Sequence, residues 1–349
     1  MVDLHSCESA PCERKQGILL EDWRPAKRER LPKYMTTTFP VSAAIFSPTV
    51  QHVLHSIKRA EQAGIPQIWV PSWPVGPDGF SIVTAAAVQT SSIGLGTGIA
   101  ITYPCHPLTR ANQALVMAEL APHRFRLGVG ASHQPAIEGQ YGLNFAKPVA
   151  HTREYIAVLR GLLWEGCIAL NGEYYTVHAE LPPMLPPPRF PIVLAALRRN
   201  MLRLAGEVSD GAMLIWAPLS YVRTIALPAM EEGAHLAGRV RPPLIVSAPI
   251  VLTTDFATVR QVAQAAFAVY SSFPAYGKMF KEAGYPLTPD GKLTDELIHE
   301  LFLYGDEDTI RKRLYAMHDA GVDEIVTVVR PLKDSTHEEK TTLEILASI

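Results

Sequence analysis

The sequence predicts an α/β protein, a single (β/α)8 TIM barrel with insertion segments and an N-terminal arm. Two observations predict it. Apolar runs of strand length alternate with amphipathic stretches of helix length, the pattern of a parallel sheet covered by helices. Eight strands and eight helices are counted without a G-x-G-x-x-G fingerprint, which favours a closed barrel over an open doubly wound sheet. The 349 residues, 48% of them hydrophobic, can fill one large core of this kind.

Residues 1–38 stand apart as a partly flexible N-terminal arm. Between Glu13 and Lys33, seven Lys/Arg are interleaved with acids, and no apolar period runs through them. The barrel domain is assigned to residues 39–349. Phe39–Phe46 reads as the first strand, and Val50–Ile65 as an amphipathic helix ending at Gly64. Pro66–Trp73 and Phe80–Thr90 form the second pair, Ile93–Ile101 and Leu108–Ala121 the third. Phe125–Ser132 is the fourth strand, and its helix, Val149–Leu163, follows a long loop. Asn171-Gly172 between β-prone residues signals a hairpin excursion over Ala169–His178. The proline-rich connector Leu181–Pro191 leads into the fifth strand, Ile192–Ala196, and the helix Arg199–Ser209. Gly211–Trp216 with a helix through Gly233 is the sixth pair, and Pro243–Thr253 with Ala257–Tyr270 the seventh. After an insertion over 271–303, the helix Asp308–Val322 and the strand Asp323–Val329 close the count.

Composition excludes several classes. A net charge of −2 gives no global field toward nucleic acid or membrane surfaces. No apolar run approaches the roughly 20 residues that span a bilayer, and the N-terminus has no apolar signal region. Cys7, Cys12, Cys105 and Cys167 show no C-x-x-C spacing, so neither a metal site nor a disulfide framework is expected. A cytoplasmic homodimer acting on a small organic molecule is the default expectation.

Gly94, Gly96 and Gly98 share one face of the third strand, and Gly128 and Gly130 one face of the fourth. Glycine in a strand marks close approach by another group. Either the barrel interior and helix layer need small residues there, or Gly98 and Gly130 make room for a flat ring. In barrels of this type chemistry sits just past the strand C-termini. Those positions hold Phe46 and Ser47, Ser72 and Trp73, Thr102 and Tyr103, Ser132 and His133. They continue with Ala195, Ala196, Leu197 and Arg198, then Trp216, Thr253 and Thr254, and Arg330. Carboxylates and lysines are nearly absent, while aromatic and hydroxyl groups are frequent, which fits a rim where an organic cofactor supplies the reactivity. Trp73, Tyr103 and Trp216 are candidate substrate contacts. The segment Ala195–Arg198 opens a helix with an arginine, a ready phosphate site unless its arginines only flank a turn. His133 is the histidine placed at a strand end, to handle a proton or to shape the pocket.

At these residues the chain resembles the bacterial luciferase-like superfamily. The resemblance runs through Ile93–Ile101 with its helix, Phe125–Leu163, Pro191–Gly211 and Gly305–Val326, in order and spacing. Gly130–Leu143, the Ala195–Asn200 loop and Phe267–Tyr285 look most like the branch using coenzyme F-420, a deazaflavin; FMN-dependent members share the barrel. The resemblance implies a non-prolyl cis peptide at Gly98-Ile99, pressing on the central ring of the cofactor. It implies that Ala195, Ala196, Leu197 and Arg198 hold the cofactor phosphate and that Ser72 and Trp73 face the ring. Some relatives place an acid and a histidine at those last two positions, and this chain has neither. His133 falls where some relatives carry a proton-transferring glutamate. The insertion 271–303 would be a lid over the substrate, its Phe273, Tyr276 and Phe280 either lining the roof or packing it down. The implied activity is hydride transfer between F-420 and an activated C=C, C=N or C=O bond of a medium-sized organic substrate, with an FMN-dependent monooxygenase as the alternative.

Overall fold

In the computed structural model the described residues are 40–45, 47, 49–182, 185–330 and 335–349. The N-terminal arm, Cys7, Cys12 and the rim position Phe46 lie outside them. The body begins with β1 (Val41–Ala44), α1 (Val50–Ala63), β2 (Gln67–Val70), α2 (Gly79–Ala87), β3 (Gly94–Thr97), β4 (Ala100–Ile101) and α3 (Pro107–Leu120). It continues through β5 (Phe125–Gly130), α4 (Gln134–Tyr141), α5 (Pro148–Arg160), β6 (Cys167–Asn171), β7 (Thr176–Glu180), β8 (Ile192–Ala195) and α6 (Arg199–Val208). Then come β9 (Gly211–Ile215), α7 (Leu219–Tyr221), α8 (Leu227–Leu236), β10 (Leu244–Val251), α9 (Phe256–Phe267), α10 (Pro274–Glu282) and α11 (Asp295–Leu301). The last elements are β11 (Leu303–Tyr304), α12 (Glu307–Asp319), β12 (Glu324–Val329) and α13 (Ser335–Ala347).

Eight parallel strands close the barrel in the order β1, β2, β3, β5, β8, β9, β10, β12, and β12 pairs back onto β1. The expected TIM barrel is therefore the observed fold. Helix starts follow local rules: Asp78, Asp255, Thr294 and Asp306 each cap a helix by accepting a backbone N–H. Gly64 ends α1 at φ +86, where a Cβ would be strained.

The helix count exceeds the eight expected: α10 and α11 lie in the 271–303 insertion, and two more stand elsewhere. The stretch read as a long loop after the fourth strand holds α4. The helix that follows the last strand is α13, which packs on α1 and β1 and was not assigned from the sequence. Its partner there is explicit: Glu339 accepts a hydrogen bond from Arg59 at 3.0 Å. The hairpin is present as β6 and β7, but its turn spans residues 172–175 between the paired Asn171 and Thr176, longer than a two-residue turn. Among the described residues Cys105 is a free thiol, whereas Cys167 is disulfide-bonded, against the expectation of no disulfide.

Trp69 fills the barrel interior with Val193, Ile245 and Val326. Its indole N–H donates to Glu324 at 3.0 Å, Ser42 donates to the same oxygen at 2.7 Å, and Arg126 donates to the other carboxylate oxygen at 2.6 Å. Arg126 and Glu324 stand near the starts of their strands, so this satisfied network closes the N-terminal end of the barrel. What is left open to chemistry is the opposite rim.

Candidate active site

The glycine face is explained by protein atoms. A Cβ at Gly96 would lie 2.5 Å from the Trp69 ring, and one at Gly94 2.3 Å from Gln67. At Gly98 it would lie 3.0 Å from Trp69 Cβ, and at Gly128 1.9 Å from the Thr97 carbonyl. At Gly130 it would meet Ala195 Cβ at 2.8 Å and Ile99 Cδ1 at 3.1 Å. The strand-3 glycines thus clear space for Gln67 and Trp69, and those of β5 admit the backbone of β3 and the side chain of Ile99. Of the two sequence readings, the small-residue requirement of the barrel is the one these contacts carry. The peptide Gly98-Ile99 is cis, as the resemblance implied, and separates β3 from β4.

His133 follows Ser132, whose φ of +61 turns the chain off β5 into α4. Its ring stacks on Phe273 at 4.2 Å and 16°, and its Nε2 lies 3.5 Å from the Tyr276 hydroxyl. Burial pulls its pKa down to about 4, because the charged form loses water. It is therefore an uncharged imidazole near neutrality.

Arg198 precedes α6, whose first turn carries no side-chain cap. One guanidinium nitrogen pairs with Glu282 at the end of α10, while Nη1 is buried with no hydrogen-bond partner. The Leu197 carbonyl accepts a hydrogen bond from the Tyr221 hydroxyl at 2.9 Å. Ala195 and Ala196 precede it at the end of β8. Ser72 Oγ is likewise buried and unpartnered, and Trp73 beside it is 37% exposed.

Three of the residues expected to contact substrate are engaged by protein neighbours. Trp216 is 1% exposed and enclosed by Phe267, Tyr270 and Phe302. Tyr276 is 2% exposed among Phe267, Tyr270 and Phe280. Both rings fasten the insertion to the barrel, as does the fully buried Phe280, because large aromatics gain most by leaving water. Tyr103 stacks on His151 at 3.9 Å and 7°, packs against Phe145 and donates its hydroxyl to the Ala146 carbonyl at 3.0 Å. Phe273 and Trp73 remain accessible to a ligand.

Comparisons with known proteins bear on the family and the fold. A family model described as luciferase-like monooxygenase matches residues 33–324. The chain belongs to the luciferase-like monooxygenase family. A 5,10-methylenetetrahydromethanopterin reductase of Methanolobus tindarius is 28% identical over 298 residues, covering 80% of this chain and 90% of its own. Among solved structures, an F-420-dependent secondary alcohol dehydrogenase in complex with an F-420–acetone adduct aligns with TM-score 0.73 at 18% identity, covering 88% of this chain and 98% of its own. The oxygenating constituent of 3,6-diketocamphane monooxygenase from Pseudomonas putida, in complex with FMN, aligns with TM-score 0.71 at 17% identity, covering 88% and 97%. These two share the fold.

In this luciferase-like barrel, sequence reasoning missed His151. It lies within α5, away from any strand end, 5% exposed, and its Nε2 is 2.8 Å from the Tyr175 hydroxyl. It also missed Glu282 as the partner of Arg198. The signal for Glu282 was available only as an acid at the end of an insertion helix. Among the described residues, no group of three or more His, Cys, Asp or Glu is arranged to hold a metal ion. No helix there is long and apolar enough to cross a membrane.

Proposed function

We propose that this luciferase-like protein is an oxidoreductase that transfers a hydride between coenzyme F-420 and an activated C=C, C=N or C=O bond of a medium-sized organic substrate. The observation that carries the reading is Arg198 at the uncapped start of α6, with its Nη1 buried and unsatisfied. A buried guanidinium nitrogen lacking an acceptor fits a phosphate oxygen, and helix N–H groups beside it add donors of the same sign. Ala195, Ala196, Leu197 and Arg198 would hold the phosphate. The unpartnered Ser72 Oγ and the bulge at Gly98 and Ile99, with Gly130 behind it, would meet the ring. When bound, the deazaflavin supplies or accepts the hydride.

The chain's own residues orient the reactants and exclude water. Phe273 covers His133, and Trp73 offers an apolar surface at the rim. His133, uncharged near neutrality, stabilises developing charge by hydrogen bonding and does not act as an imidazolium acid. The protein is expected to work as a cytoplasmic homodimer. A second reading, an FMN-dependent monooxygenase, is favoured by the shared barrel of the FMN-bound structure above.

A fluorescence titration of purified protein with F-420 and, separately, with FMN tests the choice. Saturable quenching of F-420 alone supports the hydride-transfer reading. Binding of FMN alone favours the monooxygenase, and binding of neither overturns both.

A further inference from the structure

The reading of His133 as the group that meets developing charge leaves open which ring nitrogen carries its proton, and the inference rests on that reading. The Tyr276 hydroxyl lies 3.5 Å from His133 Nε2. Tyr276 stands on α10, closed in by Tyr270 at 5.2 Å, Phe267 at 6.4 Å and Phe280 at 6.4 Å. A phenol this deep must place its proton on an acceptor, since a buried unsatisfied O–H is costly. His133 Nε2 is its hydrogen-bond partner among the described residues. Burial raises the phenol's pKa well above its ordinary value, so the hydroxyl keeps its proton. A hydroxyl that donates to Nε2 needs a lone pair there, and a neutral imidazole has only one N–H. That proton is then on Nδ1, a nitrogen with no hydrogen bond among the described residues and no capping role for α4. The Phe273 stack, at 4.2 Å and 16°, fixes the plane of the ring.

We propose that Tyr276 is a positioning residue that holds His133 as the Nδ1–H tautomer, so that His133 presents a neutral N–H donor to the site and no basic lone pair.

The consequence is a narrower substrate class. As hydride from the reduced deazaflavin adds to carbon, the electron pair of the double bond moves to the other atom. An N–H donor stabilises that pair when the atom is oxygen or nitrogen, and a proton from water then completes the product. Polarised C=O and C=N acceptors fit this donor better than a simple C=C.

The test is nitrogen-15 NMR of the histidine side chains at pH 7, on the full-length labelled protein without cofactor, with His133→Gln to assign the signal. The expected wild-type signal has the proton on Nδ1. Tyr276→Phe keeps the ring and loses the hydroxyl, and is expected to move the tautomer ratio about two- to tenfold toward Nε2–H, the worth of one hydrogen bond. An Nε2–H signal in the wild type overturns the proposal whether or not the variant folds, and so does an unchanged ratio in a folded Tyr276→Phe. Because no cofactor is present, a protein with the Nδ1–H tautomer that binds no F-420 keeps this inference and loses the cofactor reading.

Discussion

His133 and His151 are built alike and placed differently. Each stacks on an aromatic ring, Phe273 at 4.2 Å and Tyr103 at 3.9 Å, and each has a tyrosine hydroxyl at Nε2, Tyr276 at 3.5 Å and Tyr175 at 2.8 Å. Burial holds both pKa values down to about 4. Each tyrosine is carried by an element outside the eight barrel strands, and a carboxylate anchors that element. Glu282, at the end of α10, pairs with Arg198 on the barrel. Glu154, on α5, accepts the backbone N–H groups of Glu173, Tyr174 and Tyr175 in the hairpin turn, at 2.8, 2.8 and 3.0 Å. The difference is in what surrounds them. His151 Nδ1 is buried without a partner within α5, whereas His133 stands between the end of β5 and α4 with Phe273 stacked on its ring. The same local device thus stands within a helix at one position and just past a strand end at the other.

The strongest way to break this comparison is to delete each imidazole. His133→Ala is expected to lower turnover by about 10²–10³-fold, the worth of one donor to developing charge, with cofactor affinity nearly unchanged. His151→Ala is expected to show its main effect as lost stability, about 2–4 kcal/mol from the vacated space and the stranded Tyr175 hydroxyl. Steady-state rates and urea unfolding of both variants separate the two roles. Equal rate losses in the two would mean that position relative to the rim does not distinguish them.

Glu154→Gln should be the next largest effect. The carboxylate is 2% exposed and bonds three N–H groups, and a Cβ at Gly172 would lie 2.2 Å from its Oε2. Replacing one oxygen by an NH₂ group turns an acceptor into a donor facing donors, at a cost of about 2–3 kcal/mol. The expected readout is faster hydrogen exchange at residues 173–175 together with a lower melting temperature. Full protection in the variant would show that the turn holds without the carboxylate.

Part of this was legible in the sequence, and the reason is range. Strand and helix periods are local, so the alternation gave the barrel. His133 and Arg198 were found because each sits where a strand ends or a helix begins, and chain order marks those places. His151 had no such mark: it lies within α5, and its partners come from Tyr103, 48 residues earlier, and Tyr175, 24 residues later. The burial of Trp216 and Tyr276 depends on the insertion folding back over the barrel, which no local pattern encodes. The glycine face was visible, but its occupant was not, because Trp69 reaches it from the neighbouring strand.

Acid should weaken both sites together. The unfolded chain protonates its histidines near pH 6.5, whereas the folded chain holds these two neutral to about pH 4. Between those values the unfolded state binds more protons, so their stability contribution is complete above about pH 6.5 and is lost as pH falls toward 4. Each histidine accounts for up to about 3 kcal/mol of that loss. His151→Gln should flatten the slope of unfolding free energy against pH by the share of one histidine. A slope unchanged by the substitution would place the acid sensitivity elsewhere.

The smallest expected effect concerns the insertion. The Arg198–Glu282 pair is partly exposed, with side chains 33% and 41% accessible, so its contribution to stability is under about 1 kcal/mol. Glu282→Gln should therefore leave the melting temperature within a few degrees of the wild type. It also removes the acid that competes for the guanidinium, so affinity for an anionic phosphate at Arg198 should rise about two- to fivefold. Inorganic phosphate competing with F-420 in the fluorescence titration measures this directly. The tautomer of His133 should hold, because Tyr276 is fixed by the aromatic cluster around it and not by the ion pair. A tautomer shift in Glu282→Gln would mean that the pair, and not the aromatic packing, seats Tyr276 on His133.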